Sequence, residues 1–324
     1  MKKFSVRRVS YRNILFLFFI VILIVIAAFK PIGLDRDSAI YYQASLNTLF
    51  DIRWIEPTFS LISSINNYLF ASSGVMFFMM YAVIALSLKY FAFINISRYL
   101  YSSLFLYATS YFLLLELTQI RAAVATGFFL LAISDIVNNR MKRYFIKILF
   151  AISFHYSALI YLFVYFINSK SLSKIYWFLL PFLAILISGL ISASLLLSIT
   201  PDFLNAKISN YLSHSEKAPL FNLYRLILLF IYLFFVLNSH RVKDEIFIVS
   251  IKLLGISLAV YFLFLNLGEV FSVRFSGIIS IIIVILIPFL FQIIRQKLLV
   301  YSIIIFYGII NLYYLLYIQR LFNF

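Results

Sequence analysis

The stretch LELTQIRAAVATGFFLLAI (residues 115–133) is a long apolar run with one arginine, Arg121, near its start. Apolar runs recur along nearly all of the 324 residues, and a bilayer span needs about 20 such residues. The chain is 65% hydrophobic and only 12% charged, whereas a soluble domain is about 25% charged. We therefore expect an all-α polytopic membrane protein that forms a single integral membrane domain over residues 1–324.

Composition excludes several classes of function. The formal net charge of +16 is explained by basic loops on the cytoplasmic side of a membrane, and no soluble basic domain is present to bind nucleic acid. The absence of cysteine excludes disulfides, thiolate zinc sites and cysteine nucleophiles. Three histidines and 11 acidic residues leave few ligands for a metal. We expect no metal, no cofactor and no nucleic-acid partner.

About ten apolar segments predict transmembrane helices. The first, 14–29, follows a basic N-terminus, but no cleavage site comes after it, so we expect a retained helix. Residues 57–72 are short and amphipathic, which favours an interfacial helix. The predicted spans are 14–29, 75–96, 100–117, 122–137, 144–167, 175–199, 222–238, 246–265, 275–293 and 298–318.

The positions of Lys and Arg predict a cytoplasmic N-terminus. Ten simple spans would nevertheless place the basic loops HRVK (240–243) and RQK (295–297) outside. A broken or re-entrant element within 144–199 returns both loops to the cytoplasm. Irregular backbone at that depth is tolerated where it faces protein or a wet cavity. Both 144–167 and 175–199 are candidates for this element, and the sequence does not choose between them.

With such a break, the isolated polar residues collect at the external face, where we expect the chemistry. At this face we expect the loop 200–221 to be either a lid over the substrate or an interfacial helix without a catalytic role. The features predicted at this face are the first external loop (30–74), Arg121, the loop 200–221, Arg225, Glu269 and Arg274.

Three isolated arginines lie at the outer ends of apolar helices: Arg121, Arg225 and Arg274. A guanidinium inside the bilayer costs about 2.5–3.5 kcal/mol on insertion scales, so it needs a partner. For Arg121 that partner is either Glu116, in a structural ion pair, or an anionic ligand such as phosphate. Snorkelling explains any one of the three, but their shared face favours a diphosphate site.

The segment GLDRDSAIYYQ (33–43) is the densest external polar cluster. Asp35 and Asp37 either cap a turn or act on a sugar hydroxyl as a general base. Tyr41 and Tyr42 follow and suit contact with carbohydrate.

Three further residues are candidates for the site. His155, in ISFHYSALI, is either a packing and hydrogen-bonding group or an acid–base group. Glu56, in RWIEPTF, and Glu269, in GEVFSVRF, are external carboxylates that suit a sugar contact or a proton acceptor.

The ordered motifs of residues 33–165 resemble the EpsG-like branch of Wzy-type polysaccharide polymerases. These are inner-membrane enzymes of O-antigen, capsule and exopolysaccharide assembly. The resemblance implies functional roles for Arg121 and His155, with Asp35 or Asp37 at the acidic loop position. It rests on DRDSAIYY (35–42), EPTF (56–59), QIRAAVATGFFLLAI (119–133) and NNRMKRYFIKILFAISFHYSALIYL (138–162).

The resemblance also implies a reaction and an architecture. The growing glycan would move from undecaprenyl diphosphate to a terminal sugar hydroxyl of an incoming lipid-linked repeat unit at the external face, without a metal. Fixed guanidiniums would stabilise the charge that builds on the leaving diphosphate. The fold would be a GT-C-like membrane glycosyltransferase in the bacterial inner membrane. A flippase and a chain-length regulator would be its partners.

Other functions remain open at this point. Another polyprenyl-phosphate-dependent GT-C glycosyltransferase, or an O-antigen ligase, would use related chemistry. A lipid-linked oligosaccharide flippase or other transporter predicts two pseudo-symmetric halves, and no such repeat is seen. A membrane O-acetyltransferase would place its histidine and arginine near the cytoplasm.

Overall fold

A computed structural model describes residues 11–35, 37–46, 56–167, 169–192, 194, 197–198, 205, 209, 212 and 218–322. Within these residues the chain is almost entirely helical, and an isolated bridge joins Asp35 to Phe322. The helices are α1 (Tyr11–Ala28), α2 (Ser38–Leu46), α3 (Pro57–Leu69), α4 (Gly74–Ile96), α5 (Leu100–Thr118), α6 (Ile120–Val137), α7 (Met141–Phe154), a 3₁₀ helix (Tyr156–Phe166), α8 (Lys174–Ser188), α9 (Leu223–Leu237), α10 (Glu245–Leu263), α11 (Glu269–Ile293) and α12 (Lys297–Ile318).

Six of the described helices are long and apolar enough to cross a membrane: α4, α5, α6, α10, α11 and α12. Shorter apolar helices are α1, the 3₁₀ helix, α8 and α9. These helices confirm the polytopic helical membrane class. The total of about ten spans and the GT-C-like architecture stay predictions. Residues 57–69 are helical as expected, in α3.

The predicted span 144–167 is broken at His155. Helix α7 ends one residue earlier, His155 is extended (φ −155°, ψ 114°), and the 3₁₀ helix follows at once. The Tyr144 hydroxyl donates a hydrogen bond to the carbonyl of Tyr161 at 2.6 Å, and the Tyr144 and Tyr165 rings lie 5.1 Å apart. Because residues near the start of α7 contact residues near the end of the 3₁₀ helix, the chain reverses direction at His155. We call these two segments the α7 hairpin.

Basic loops that are distant in sequence meet at one end of the helix bundle. Arg98, before α5, forms an ion pair with Asp244, before α10, at 2.7 Å. The neighbouring Tyr99 ring lies 4.9 Å from the ring of Phe291, near the end of α11. The loops that contain INISRY, HRVK and RQK therefore share one end, which we call the basic end. That is the arrangement that a broken element was expected to produce.

The opposite end of the bundle holds the other set of loops. The side chain of Asn266, just beyond α10, donates to the carbonyl of Ser188 at the end of α8, at 3.0 Å. The amide of Ala218, shortly before α9, contacts the carbonyl of Leu265 at 3.3 Å. Since α10 begins at the basic end, these contacts define a second, opposite end, which we call the site end.

Glu116 does not pair with Arg121, so that one of the two expected partners is wrong. Its carboxylate instead forms an ion pair with Lys89 of α4, and both side chains are fully buried. Lys89 also donates to the carbonyl of Ala123 at 2.7 Å. The second half of α5 is a π-helix that ends at Thr118, and its wider turn directs Glu116 towards α4. Arg121 belongs to the next helix, beyond the break at Gln119.

Helices α4 and α6 pack closely, as the small residues of α6 lead one to expect. A Cβ atom added to Gly127 would lie 2.9 Å from the Cβ of Leu88 in α4, so a larger residue has no room there. This packing holds the first turn of α6, and with it Arg121, against the core.

Candidate active site

Glu56 stands at the centre of the polar cluster at the site end. It directly precedes α3, and Pro57 occupies the first position of that helix. Its carboxylate does not cap its own helix. Instead, Oε2 accepts a hydrogen bond from Nη1 of Arg121 in the first turn of α6. The Glu56 side chain is only 1% exposed, so this ion pair is formed away from water.

His155 meets the same carboxylate from the tip of the α7 hairpin. Its Nδ1 lies 3.4 Å from Oε1 of Glu56, and its side chain is 18% exposed. The hydroxyl of Thr58, in the first turn of α3, donates to the carbonyl of Ser153 at 2.7 Å. This bond ties α3 to the end of α7. It thereby sets the distance between Glu56 and His155.

The guanidinium of Arg121 packs against two neighbouring aromatic rings. Its central carbon is 5.1 Å from the centroid of the Tyr41 ring and 5.7 Å from that of Phe59. Ring faces of this kind attract a cation that has lost water. The Nε atom is buried and has no hydrogen-bond partner among the residues that the structure describes. With a side chain 22% exposed, Arg121 still reaches the surface of the site.

Packed aromatic rings line the side of this cluster that faces the protein core. Phe59 packs against Phe77 and Tyr81, with ring centroids 5.7 and 6.5 Å away. Tyr81 in turn contacts Phe154, the last residue of α7, at 6.4 Å. These rings exclude water from the core side of Arg121. Electrostatic interactions in the site are stronger as a result.

Asp37 and Arg274 belong to the same cluster. Partial burial raises the pKa of the Asp37 carboxyl above its usual range, and the charge of Asp35 adds to the effect. Arg274, Arg121 and Lys30 lie close enough to oppose that rise. Arg274 is exposed on α11. The loop before α2 and the start of α11 therefore both face the cluster of Glu56, Arg121 and His155, which we call the Glu56 group.

The Asp35 side chain makes hydrogen bonds and an ion pair that stabilise the chain next to the site. It accepts hydrogen bonds from the backbone amides of Asp37 at 3.1 Å and Ser38 at 2.9 Å, and so caps the start of α2. It also forms a buried ion pair with Lys30 at 3.0 Å. Lys30 donates to the carbonyl of Leu117 at the end of α5 as well. The capping role considered for Asp35 is thus present, and Asp37 is the more accessible carboxyl of the pair.

Tyr41 and Tyr42, which follow this loop, contact different parts of the structure. Tyr41 faces Arg121, as described above, whereas the hydroxyl of Tyr42 donates to the carbonyl of Ser72 at 3.1 Å. Tyr42 thus ties α2 to the loop before α4.

Arg225 and Glu269 form a second group, around Tyr261 of α10. Arg225 is buried in the first turn of α9, with its guanidinium carbon 4.7 Å from the centroid of the Tyr261 ring and 5.5 Å from that of Tyr224. Its Nη1 atom is buried without a hydrogen-bond partner in the described part of the chain. Glu269 is exposed at the start of α11 and lies within electrostatic range of Tyr261. Helix α11 therefore links this group, through Glu269, to the Glu56 group, through Arg274.

Some predicted features are not described by the structure. Most of the predicted lid, 200–221, lies outside the described residues, as do residues 47–55 of the first external loop and Arg36. Within the described ranges, no group of three or more His, Cys, Asp or Glu side chains is arranged to hold a metal ion.

Comparison with known proteins gives a match to one family model. Neither the curated proteins nor the solved structures contain a match. The model of the EpsG family, however, matches residues 13–324, which is nearly the whole sequence. The chain therefore belongs to the EpsG family.

Proposed function

We propose that this protein is a polymerase of lipid-linked polysaccharide repeat units. It would transfer the growing glycan from undecaprenyl diphosphate to the terminal sugar hydroxyl of an incoming lipid-linked repeat unit. Membership of the EpsG family, which is associated with polymerase activity of the glycosyltransferase type, supports the general class. The observation that carries the proposal is the joining of Arg121 and His155 by one buried carboxylate at the site end.

The reaction needs a cation to stabilise the leaving diphosphate and a proton acceptor for the hydroxyl. The acceptor oxygen attacks the anomeric carbon of the donor sugar, and a new glycosidic bond forms there. The bond between that carbon and the diphosphate oxygen breaks, and its electron pair stays on the diphosphate. The hydroxyl proton passes to a base of the protein.

Arg121 is our first candidate to meet the leaving diphosphate. A guanidinium forms two parallel hydrogen bonds to phosphate oxygens, and Glu56 occupies only one of its terminal nitrogens in the described structure. Arg274 adds a second, exposed cation on the same side. Arg225 is a further diphosphate ligand in this proposal.

The remaining polar residues suit the sugar and its hydroxyl. His155, Asp37, Asp35 and Glu56 are the candidates for the proton acceptor, and the first two are the more accessible. Tyr41, whose ring adjoins Arg121, would contact a sugar ring. Tyr42 and Glu269 are further candidates for sugar contacts.

Orientation follows from the two ends of the bundle. We infer that the basic end and the N-terminus lie in the cytoplasm of a bacterium, because cytoplasmic loops are rich in Lys and Arg. The site end then faces the outside of the inner membrane, where lipid-linked repeat units arrive from a flippase. A chain-length regulator would act on the same product.

A gel of surface polysaccharide tests this function in cells. A strain that lacks the gene is complemented with the wild type, with Arg121→Ala, or with Arg98→Ala as a matched control at the basic end. The proposal predicts single repeat units in the deletion strain and with Arg121→Ala, and a full ladder with the other two. Loss of all repeat units in the deletion strain would indicate an earlier step. A full ladder in every strain would contradict the proposal.

A further inference from the structure

The carboxylate of Glu56 contacts two functional groups at once. One oxygen accepts from Arg121, and the other lies 3.4 Å from Nδ1 of His155. Glu56 itself is 1% exposed, whereas Arg121 and His155 are 22% and 18% exposed. A substrate therefore reaches the arginine and the histidine more readily than the glutamate that joins them.

The contact with Glu56 distinguishes the two ring nitrogens of His155. A carboxylate beside Nδ1 favours the tautomer that carries its proton on Nδ1. In that tautomer Nε2, on the other side of the ring, has a free electron pair. Carboxylates that accept a hydrogen bond from a histidine orient its ring in metal sites and in serine hydrolases. Here Glu56 lies within ion-pair distance of Nδ1.

Charges around His155 make the carboxylate more important. Arg121, from α6, and Arg274, from α11, both disfavour a positive charge on the imidazole ring. Glu56, from the start of α3, is the group that favours it. Of these three groups, only the two arginines would remain without Glu56, and both would repel a proton taken up by His155.

We propose that Glu56 is a positioning residue that holds Nδ1 of His155, so that Nε2 accepts the proton of the acceptor hydroxyl. Its second oxygen keeps Arg121 at a fixed distance from that base. The proton moves from the hydroxyl to Nε2 as the glycosidic bond forms and the diphosphate leaves. The resulting imidazolium then releases its proton to water. This inference rests on the polymerase function proposed above.

The test uses full-length protein reconstituted in lipid vesicles. The probe is the undecaprenyl-diphosphate-linked repeat unit extracted from a strain that lacks the gene, and chain extension is followed over time. In Glu56→Gln the amide oxygen still accepts from Arg121, but its NH₂ group faces Nδ1 and favours the tautomer with the proton on Nε2. We expect the maximal rate to fall about 100-fold or more, since a general base contributes about 10²–10⁴-fold. The half-saturating concentration should change by less than about 3-fold.

Two matched variants separate this role from a loss of fold. Glu245→Gln makes the same chemical change at the basic end, where Glu245 contacts Ser169, and should keep the wild-type rate. Glu56→Asp keeps the charge, and its rate should be at least about tenfold higher than that of Glu56→Gln. The acid limb of the pH profile should move to lower pH in Glu56→Gln, because the imidazolium loses its neighbouring carboxylate. A merely structural change would lower the rate equally at every pH.

A double variant gives the sharpest outcome. If Glu56 acts through His155, Glu56→Gln has little further effect in a His155→Gln background. Independent, multiplying losses would overturn the inference, as would a fully active Glu56→Gln protein. If the wild type extends no chains, the polymerase proposal itself fails, and the inference fails with it. An active wild type with unaffected Glu56 variants would overturn only the role of Glu56.

Discussion

Glu56 and Arg121 are 65 residues apart in sequence, yet they form a buried ion pair at the start of two different helices. The pair fixes the guanidinium beside His155 and against the rings of Tyr41 and Phe59. A permanent cation at the start of an apolar helix is therefore compensated by an acid, while part of it remains accessible. That arrangement suits a residue that both stabilises the fold and meets an anionic substrate.

Arg121→Lys should reduce polymerisation strongly, although it keeps the positive charge. A lysine has no planar fork for two phosphate oxygens, and it cannot hold Glu56 and a diphosphate with the same geometry. We expect a fall of about 100-fold or more in the rate of chain extension by the reconstituted protein. Arg98→Lys, at the basic end, is the control and should keep the wild-type rate. Full activity of Arg121→Lys would show that charge alone suffices.

The α7 hairpin predicts that its two flanking loops lie on the same side of the membrane. Because the chain contains no cysteine, Asn139→Cys and Lys170→Cys each introduce one reactive thiol. Both should resist a membrane-impermeant maleimide in intact cells and react after permeabilisation. Asn266→Cys, at the site end, should react in intact cells. Labelling of Asn139→Cys and Lys170→Cys from opposite sides would show that residues 144–167 form a simple span.

The buried pair Lys89–Glu116 should be strongly coupled in stability. Removing one partner leaves an uncompensated charge, which costs about 3–5 kcal/mol in buried pairs. Lys89→Met or Glu116→Leu should therefore lower the thermal midpoint of the detergent-solubilised protein markedly. The double variant should return most of that loss. If the double variant is as unstable as the sum of the singles, the pair is not coupled.

Gly127 should not tolerate a larger residue. A new Cβ would lie 2.9 Å from the Cβ of Leu88, so α4 and α6 would have to separate. Gly127→Ala should cost about 1–3 kcal/mol of stability, the usual range for overpacking. Gly277→Ala is the matched control, since nothing lies within 4 Å of its added Cβ. Thermal unfolding of the two variants side by side decides the question, and equal midpoints would argue against close packing at Gly127.

Asp37 should make the stability of the protein depend on pH. Burial raises the pKa of its carboxyl in the folded protein above the value in the unfolded chain. The folded state therefore binds this proton more tightly, and the associated stability is lost as pH rises through the raised pKa. Asp37→Asn should remove this loss and be the more stable protein above that pH. Midpoints measured from pH 4 to 8 test this, and parallel curves for the two proteins would contradict it.

Hydropathy predicted the helical membrane class because it is a local property of the sequence. The partner of Arg121 was not predictable in that way, since Glu56 is brought to it by the packing of α3 against α7. The pair Lys89–Glu116 did leave a signal: one isolated base and one isolated acid in neighbouring apolar runs. The break at His155 was inferred only as one of two options, because loop charge reports the number of crossings and not the place where the chain turns.

In the proposed reaction, one undecaprenyl diphosphate leaves each time a repeat unit is joined. The most direct measurement incubates the reconstituted wild-type protein with lipid-linked repeat units extracted from the deletion strain. It counts the lipid diphosphate released and the glycosidic bonds formed in the same samples. We expect one released undecaprenyl diphosphate per new bond, and neither product with Arg121→Ala. Chains that grow with release of lipid monophosphate, or no chain growth by the wild type, would contradict it.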